Sequence, residues 1–296
     1  MIYRKLCGEF CMAQSIKKKL TLYYPSQHHA TLSVTGTGCA LDCKHCGRKY
    51  LENMLDVSTP EKFQKVVSEL EKKGIKGILL SGGCDSMGKV PFTHLLDEIK
   101  KLTASSDMFI NVHTGQIDLR DAEELYNMGI RNVCLDVVGG RVVIKNVYGL
   151  EVDDPGSSLE SLIRAGFTDI IPHITVGLDG GKLSHEMKAL ELVKEKLARP
   201  EKLVFLSLIP TEGAVFREVR AVCADDMSVL IRNAKDMFPD AELILGCMRP
   251  HYSGDEIMKM IAVGLNGVVN PSRKLEEELR GGGKYKIKKS TSCCSF

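Results

Sequence analysis

The chain has 296 residues, 44% of them hydrophobic, with no tryptophan and a formal net charge of +2. That length supports one large domain or two small ones and buries enough surface to fold without disulfide staples. The near-neutral charge gives no reason to expect nucleic acid as the main partner, and no uninterrupted apolar run is long enough to span a bilayer.

The first twenty residues, "MIYRKLCGEFCMAQSIKKKL", carry charges where a secretory leader needs an apolar stretch, so the expected compartment is the cytoplasm. Thiols stay reduced there, and eleven cysteines suggest metal rather than disulfides.

From about residue 30 one rhythm repeats: a β-rich run, a turn, then an amphipathic segment. The predicted strands are residues 30–36, 77–83, 108–115, 131–139, 169–181, 201–210, 241–250 and 265–272. Between them lie helical stretches such as "TPEKFQKVVSELEKKG" and "LRDAEELYNMG". Thr59-Pro60 opens the first, and Gly74, Gly129 and Gly166 close others. Runs of Val, Ile and Leu without alternation fit a parallel sheet buried on both faces. Eight such units predict an α/β fold, a (β/α)8 TIM-type barrel over residues 30–280, against the rival of an open doubly wound sheet. Residues 1–29, with Cys7 and Cys11 in a Cys-x3-Cys pair, form an N-terminal extension. Residues 281–296 form a flexible tail, with Gly281 to Gly283 as a joint and a closing Cys293-Cys294 pair. Residues 141–155 make a longer connection, a lid or a surface excursion.

"GTGCALDCKHCGRKY" follows the first predicted barrel strand and places Cys39, Cys43 and Cys46 at the end where barrel chemistry sits. Structural zinc usually takes four ligands in two short pairs, whereas a three-thiolate iron–sulfur cluster leaves one iron open. From the triplet alone both readings stand.

The Cys-x3-Cys-x2-Cys spacing resembles that of the radical S-adenosylmethionine (radical SAM) superfamily. "SGGC" at 81–84 is similar to that family's glycine pair, and "CLDVVG", "ITVGL" and "LIPTEGAVF" resemble the biotin synthase and lipoyl synthase branch. The resemblance covers roughly residues 30–272. It implies a four-iron, four-sulfur cluster on Cys39, Cys43 and Cys46, with S-adenosylmethionine on the open iron, cleaved to a 5′-deoxyadenosyl radical. It further implies cofactor contacts from His45, Ser81, Gly82, Gly83, Asp136, Val176 and Gly177. Two positions depart from the pattern: His45 stands where an aromatic residue is common, and Cys84-Asp85 follow the glycine pair where Glu is common. Asp136 is equally readable as a barrel-mouth residue bonded to a neighbouring loop, and Val176 as packing. Asn111 and His113 share one strand face and are possible lumen residues.

The same branch implies insertion of sulfur at unactivated C–H bonds, with a second, auxiliary four-iron, four-sulfur cluster as donor. The specific expectation is lipoyl synthesis on a protein-bound octanoyl chain, in the manner of the two-component lipoyl synthase. Cys7, Cys11, Cys293 and Cys294 are the candidate auxiliary ligands. An internal set of Cys84, Cys134 and Cys247 with Arg249 competes, and core packing is the simpler account of those three cysteines. Cys223 has no evident partner. The partners implied are an electron donor such as ferredoxin or flavodoxin, an octanoylated lipoyl carrier domain and a second radical SAM subunit. The rivals are another cofactor-pathway reaction, biotin synthase-like, methylation or rearrangement, and a noncatalytic metal-bearing scaffold.

Overall fold

The computed structural model describes residues 18–25 and 28–294. Its centre is an eleven-stranded parallel sheet in the order β11-β1-β10-β9-β8-β7-β6-β5-β4-β2-β3. All eight predicted strands are present: β2 (His29–Ser33), β4 (Gly77–Ser81), β5 (Phe109–His113), β6 (Asn132–Asp136), β7 (Asp169–Val176), β8 (Lys202–Ser207), β9 (Glu242–Leu245) and β10 (Gly267–Val269). Three more were not expected: β1 (Lys18–Tyr23), β3 (Leu55–Asp56) and β11 (Tyr285–Ser290).

Each strand turns alternate side chains to opposite faces. On the outer face, Ile78, Leu80, Val112, Val133, Leu135, Ile174, Leu203, Phe205 and Leu243 join one continuous core under the helices. On the inner face, Tyr23 of β1, Cys134 of β6, Ile171 of β7, Val204 of β8, Ile244 of β9 and Val269 of β10 meet in a second cluster, with Leu79 of β4 packed against it. Strands far apart in sheet order touch there, so the sheet is curled around a filled lumen. Among the described residues no pairing joins β3 to β11, and the result is a curled half-barrel of the TIM type.

The helices form where the sequence punctuates them. Thr59 caps α1 (Pro60–Lys72) by accepting the Lys62 N–H, and Pro60 opens its first turn. Gly74, Gly129 and Gly166, at φ of 71°, 90° and 100°, end α1, α3 (Leu119–Asn127) and α5 (Ser157–Arg164). Helices α2 (Leu96–Ser105), α6 (Glu186–Leu197), α7 (Ala224–Met237), α8 (Gly254–Ala262) and α9 (Arg273–Gly281) complete the outer layer with α4 (Arg141–Tyr148). No described helix is long and apolar enough to cross a membrane.

Two expectations meet a different structure. Residues 285–290, expected within a flexible tail, form β11, paired along its whole length with β1 from Lys18↔Tyr285 to Tyr23↔Ser290. The strand forms because Tyr285 and Ile287 pack against the core while the intervening lysines face outward. The 141–155 connection is not a surface excursion, because α4 buries Val143, Ile144 and Val147.

Candidate active site

The loop from Val34 to Arg48 leaves β2 and carries the cysteine triplet. Cys43 is buried, and Cys39 and Cys46 are half-buried. The loop folds on itself, with the Cys46 and Gly47 N–H groups donating to the Cys43 carbonyl and Arg48 Nε donating to the Leu41 carbonyl at 3.0 Å. Hydrogen bonds bind it to the glycine pair after β4. Ala40 N donates to the Cys84 carbonyl at 2.7 Å, Cys84 N to Cys39 Sγ at 3.2 Å, and Gly83 N to Thr35 Oγ1 at 2.7 Å. A Cβ on Gly83 would lie 2.0 Å from the Gly38 carbonyl oxygen, so a side chain there cannot coexist with this loop path.

Beside the triplet lies a cavity of about 250 Å³. One wall is formed by Cys39, Cys43 and Cys46 with Ser81, Gly82, Gly83 and Cys84. His113 and Asp136, at the ends of β5 and β6, also line the cavity. Leu41, Val138, Ile144 and Leu150 supply apolar surface, and Tyr148 of α4 closes the site against His45, their ring centroids 5.3 Å apart and edge to face. The sulfur and nitrogen ligand atoms of Cys43, His45 and Cys46 all lie within 4.8 Å of one another.

The electrostatics centre on Asp136. Burial pushes its carboxyl up, but the facing His113, His173 and His45 outweigh that and hold it down at about 2. His113 Nε2 lies 3.4 Å from Asp136 Oδ2, and His173 Nδ1 lies 4.0 Å from Asp136 Oδ1. Burial lowers His113, yet its carboxylate partner prevails and the imidazole is raised overall. Burial dominates at His173 and His45, which fall to about 4 and are neutral near pH 7. Desolvation, then Cys39, pushes the Cys84 thiol up to about 12.

Among the residues predicted from sequence, the cavity gathers Cys39, Cys43, His45, Cys46, Ser81, Gly82, Gly83 and Asp136, together with Cys84 and His113. Val176 and Gly177 are elsewhere. Val176 is fully buried in the core between sheet and helices, and Gly177 begins a turn at φ 76° with its N–H donated to Glu186 Oε1 at 2.8 Å. Asn111 is buried, with its Nδ2 3.5 Å from Cys134 Sγ. Cys134 is fully buried, its thiol directed at the Val112 carbonyl.

Cys7 and Cys11 lie outside the described residues. Cys294 is 3% exposed and belongs to the lumen cluster, Cys293 packs against it, and their sulfurs are 4.0 Å apart. Cys247, just beyond β9, is exposed by residue surface area, although its local surroundings raise its thiol, by desolvation and then by Cys293. Arg249 donates to the Val269 carbonyl at 2.7 Å. Cys223 is exposed at the start of α7.

Sequence reasoning missed His173 and Tyr148. The signal for His173 was period-two alternation in β7, where Ile170, Ile174 and Val176 face the helices and Ile171 faces the lumen, as His173 then must. Tyr148 sits at the end of α4, inside the 141–155 connection, where the sequence offers no site motif.

Residues 33–193, more than half the chain, match the family described as the Radical SAM superfamily. A comparison with curated protein sequences gave no match. Among solved structures, the chain is similar to HydG, a maturase of the [FeFe]-hydrogenase, with a TM-score of 0.63 and 17% identity over 85% of this chain and 57% of that one. The chain therefore spans little more than half the length of that HydG. HydG from Carboxydothermus hydrogenoformans gives 0.62 and 17% over 91% and 68%, and methylornithine synthase (PylB) gives 0.63 and 14% over 91% and 84%. At such identities these likenesses speak for the fold, while the family match covers both the cysteine loop and the Asp136 strand: this chain belongs to the radical SAM superfamily.

Proposed function

We propose that this radical SAM enzyme inserts sulfur at unactivated C–H bonds, acting on an octanoyl chain carried by a lipoyl carrier domain as one component of a two-component lipoyl synthase. The family implies a four-iron, four-sulfur cluster and S-adenosylmethionine, and the residues present suit both. Three thiols lie on one loop beside the cavity, and His45 Nδ1 and Asp136 Oδ1 are buried there without a hydrogen-bond partner. Unpaired polar atoms in a cavity cost energy until a ligand satisfies them. When bound, the cluster and S-adenosylmethionine would supply one-electron chemistry able to activate a C–H bond. The chain's part is to hold that pair and keep water out with Leu41, Val138, Ile144 and Tyr148.

Sulfur insertion also needs a sulfur source, and the observation that carries the reading is the position of the C-terminal thiols. Cys294 is buried in the lumen cluster and half-buried Cys293 packs against it, with the exposed Cys247 and with Arg249 nearby. On this reading, two ligand sets that were separate in the sequence would together supply three thiols and an arginine for an auxiliary cluster. An electron donor of the ferredoxin or flavodoxin kind and a second radical SAM subunit complete the proposed system, with no nucleic acid or membrane involved and a cytoplasmic setting.

The test is iron and sulfide content with electron paramagnetic resonance under anaerobic conditions. The Cys39/Cys43/Cys46→Ala protein is expected to keep a second cluster, lost when Cys247, Cys293 and Cys294 are also replaced. If the first triple variant holds no iron while the wild type cleaves S-adenosylmethionine, sulfur insertion gives way to another radical reaction. The specific observation behind that second reading is the His113–Asp136–His173 group, which suits a polar substrate better than a fatty chain.

A further inference from the structure

The Asp136 carboxylate has two differently situated oxygens. Oδ2 faces His113 Nε2 at 3.4 Å, while Oδ1 is buried beside the cavity with no hydrogen-bond partner. His173 Nδ1 is 4.0 Å from Oδ1, beyond hydrogen-bond distance. His113 is itself fixed from behind, because Ser81 Oγ donates to its backbone carbonyl at 3.2 Å and ties the end of β5 to the glycine-pair strand β4. One oxygen thus faces a protein partner and the other is left for a ligand donor.

We propose that His113 is a positioning residue for nucleoside binding. From β5 it fixes the rotation of the Asp136 carboxylate, so that Oδ1 is presented to a hydroxyl-bearing ligand in the cavity. This rests on the reading of that cavity as the S-adenosylmethionine site. Without His113 the carboxylate can turn about its Cβ–Cγ bond, and the ligand must then bear the cost of ordering it. The 3.4 Å separation is long for a hydrogen bond, and contacts of this kind tighten when the ligand is bound. His113 touches no reacting atom in this scheme, since its action passes through Asp136.

The experiment measures equilibrium binding of S-adenosylhomocysteine, an unreactive nucleoside probe, to anaerobically reconstituted protein by titration calorimetry. Wild type, His113→Ala, His113→Asn, Asp136→Asn and the His113→Ala/Asp136→Asn pair are compared at equal iron content. Loss of His113 is expected to weaken binding about tenfold, the scale of one hydrogen bond to a charged group. His113→Asn recovers most of that loss, and the double variant binds no more weakly than Asp136→Asn alone. At saturating S-adenosylmethionine the rate of 5′-deoxyadenosine formation changes far less than the binding constant.

Wild-type affinity in His113→Ala, or a loss that adds in full to that of Asp136→Asn, overturns the proposal. If Asp136→Asn binds the probe as wild type does, the carboxylate is not a ligand contact and the proposal falls with it. If the wild type does not bind the probe, the reading of the cavity fails first. Should His113→Ala not take up iron, the same cycle is run with His113→Gln and His113→Asn, which keep a donor and differ in reach.

Discussion

Replacing Gly83 by Ala tests whether the glycine pair and the cysteine loop are one mechanical unit. A Cβ at this position would sit 2.0 Å from the Gly38 carbonyl oxygen, 2.6 Å from Cys39 Cβ and 2.8 Å from Cys39 Cα. Two of those atoms are backbone, so no rotamer change relieves the clash. Ordinary contact begins near 3.4 Å, and the loop must therefore retreat by more than 1 Å just where Cys39 leaves it. Forcing one methyl group into a packed site typically costs about 1–3 kcal/mol, and here that strain falls on the segment that sets the Cys39 sulfur. Iron per chain after anaerobic reconstitution is expected to fall to half or less, with nucleoside affinity falling too. Gly74→Ala is the control. Its φ of 71° strains an alanine, but nothing lies within 4 Å of the added Cβ, so it should cost stability by about 1 kcal/mol and leave iron content unchanged. Full iron loading in Gly83→Ala would refute the coupling of glycine pair to cluster loop.

The pH dependence of stability should carry the mark of His173. Its folded value, about 4, lies below the ordinary 6.5, so its contribution is complete above pH 6.5 and is lost as pH falls towards 4. The amount is on the order of 3 kcal/mol, and His173→Gln should flatten the melting-temperature decline across that window; an unchanged slope counts against the assignment. Ser253→Ala removes the capping box of α8, where Ser253 and Glu256 exchange side-chain and backbone hydrogen bonds, and should cost about 1 kcal/mol in chemical denaturation while sparing iron content. Deleting residues 284–296 strips β11 from β1 and uncovers the lumen around Cys294. A loss of roughly 2–3 kcal/mol is expected from the exposed apolar surface, measured by the same denaturation, and a wild-type midpoint would show that β11 adds nothing.

The eight barrel strands were legible because each is a short Val-, Ile- and Leu-rich run bounded by glycine or a polar turn, and because Gly74, Gly129 and Gly166 stand where the chain must take positive φ. The cysteine loop was legible because its pattern is local: three cysteines within eight residues need no knowledge of the rest of the fold. Neither condition holds for β1 and β11. "KKLTLY" and "YKIKKS" are lysine-rich, short and more than 260 residues apart, yet each supplies the backbone partners of the other. The period-two pattern of β11 is visible in retrospect, with Tyr285 and Ile287 packed on the core and Lys286 between them. The decisive term is pairing at a distance, which propensity does not contain.

The same nonlocality governs the thiols. In sequence, Cys247 belongs to a barrel strand and Cys293-Cys294 to a tail, so they read as rival ligand sets. With β11 paired to β1, the residues that follow bring Cys294 into one buried cluster with Tyr23, Val204 and Ile244. A strand too charged to look like one therefore decides whether the chain's last cysteines face solvent or the barrel interior. The edge pairing of β1 with β11 is in that sense part of the candidate second site, and a substitution that breaks it, such as Ile287→Pro, should lower thiol burial and any second-cluster iron together. Thiol labelling and iron analysis on one sample measure both. If Ile287→Pro exposes Cys293 and Cys294 to the label while second-cluster iron stays at its wild-type level, those thiols do not hold that iron.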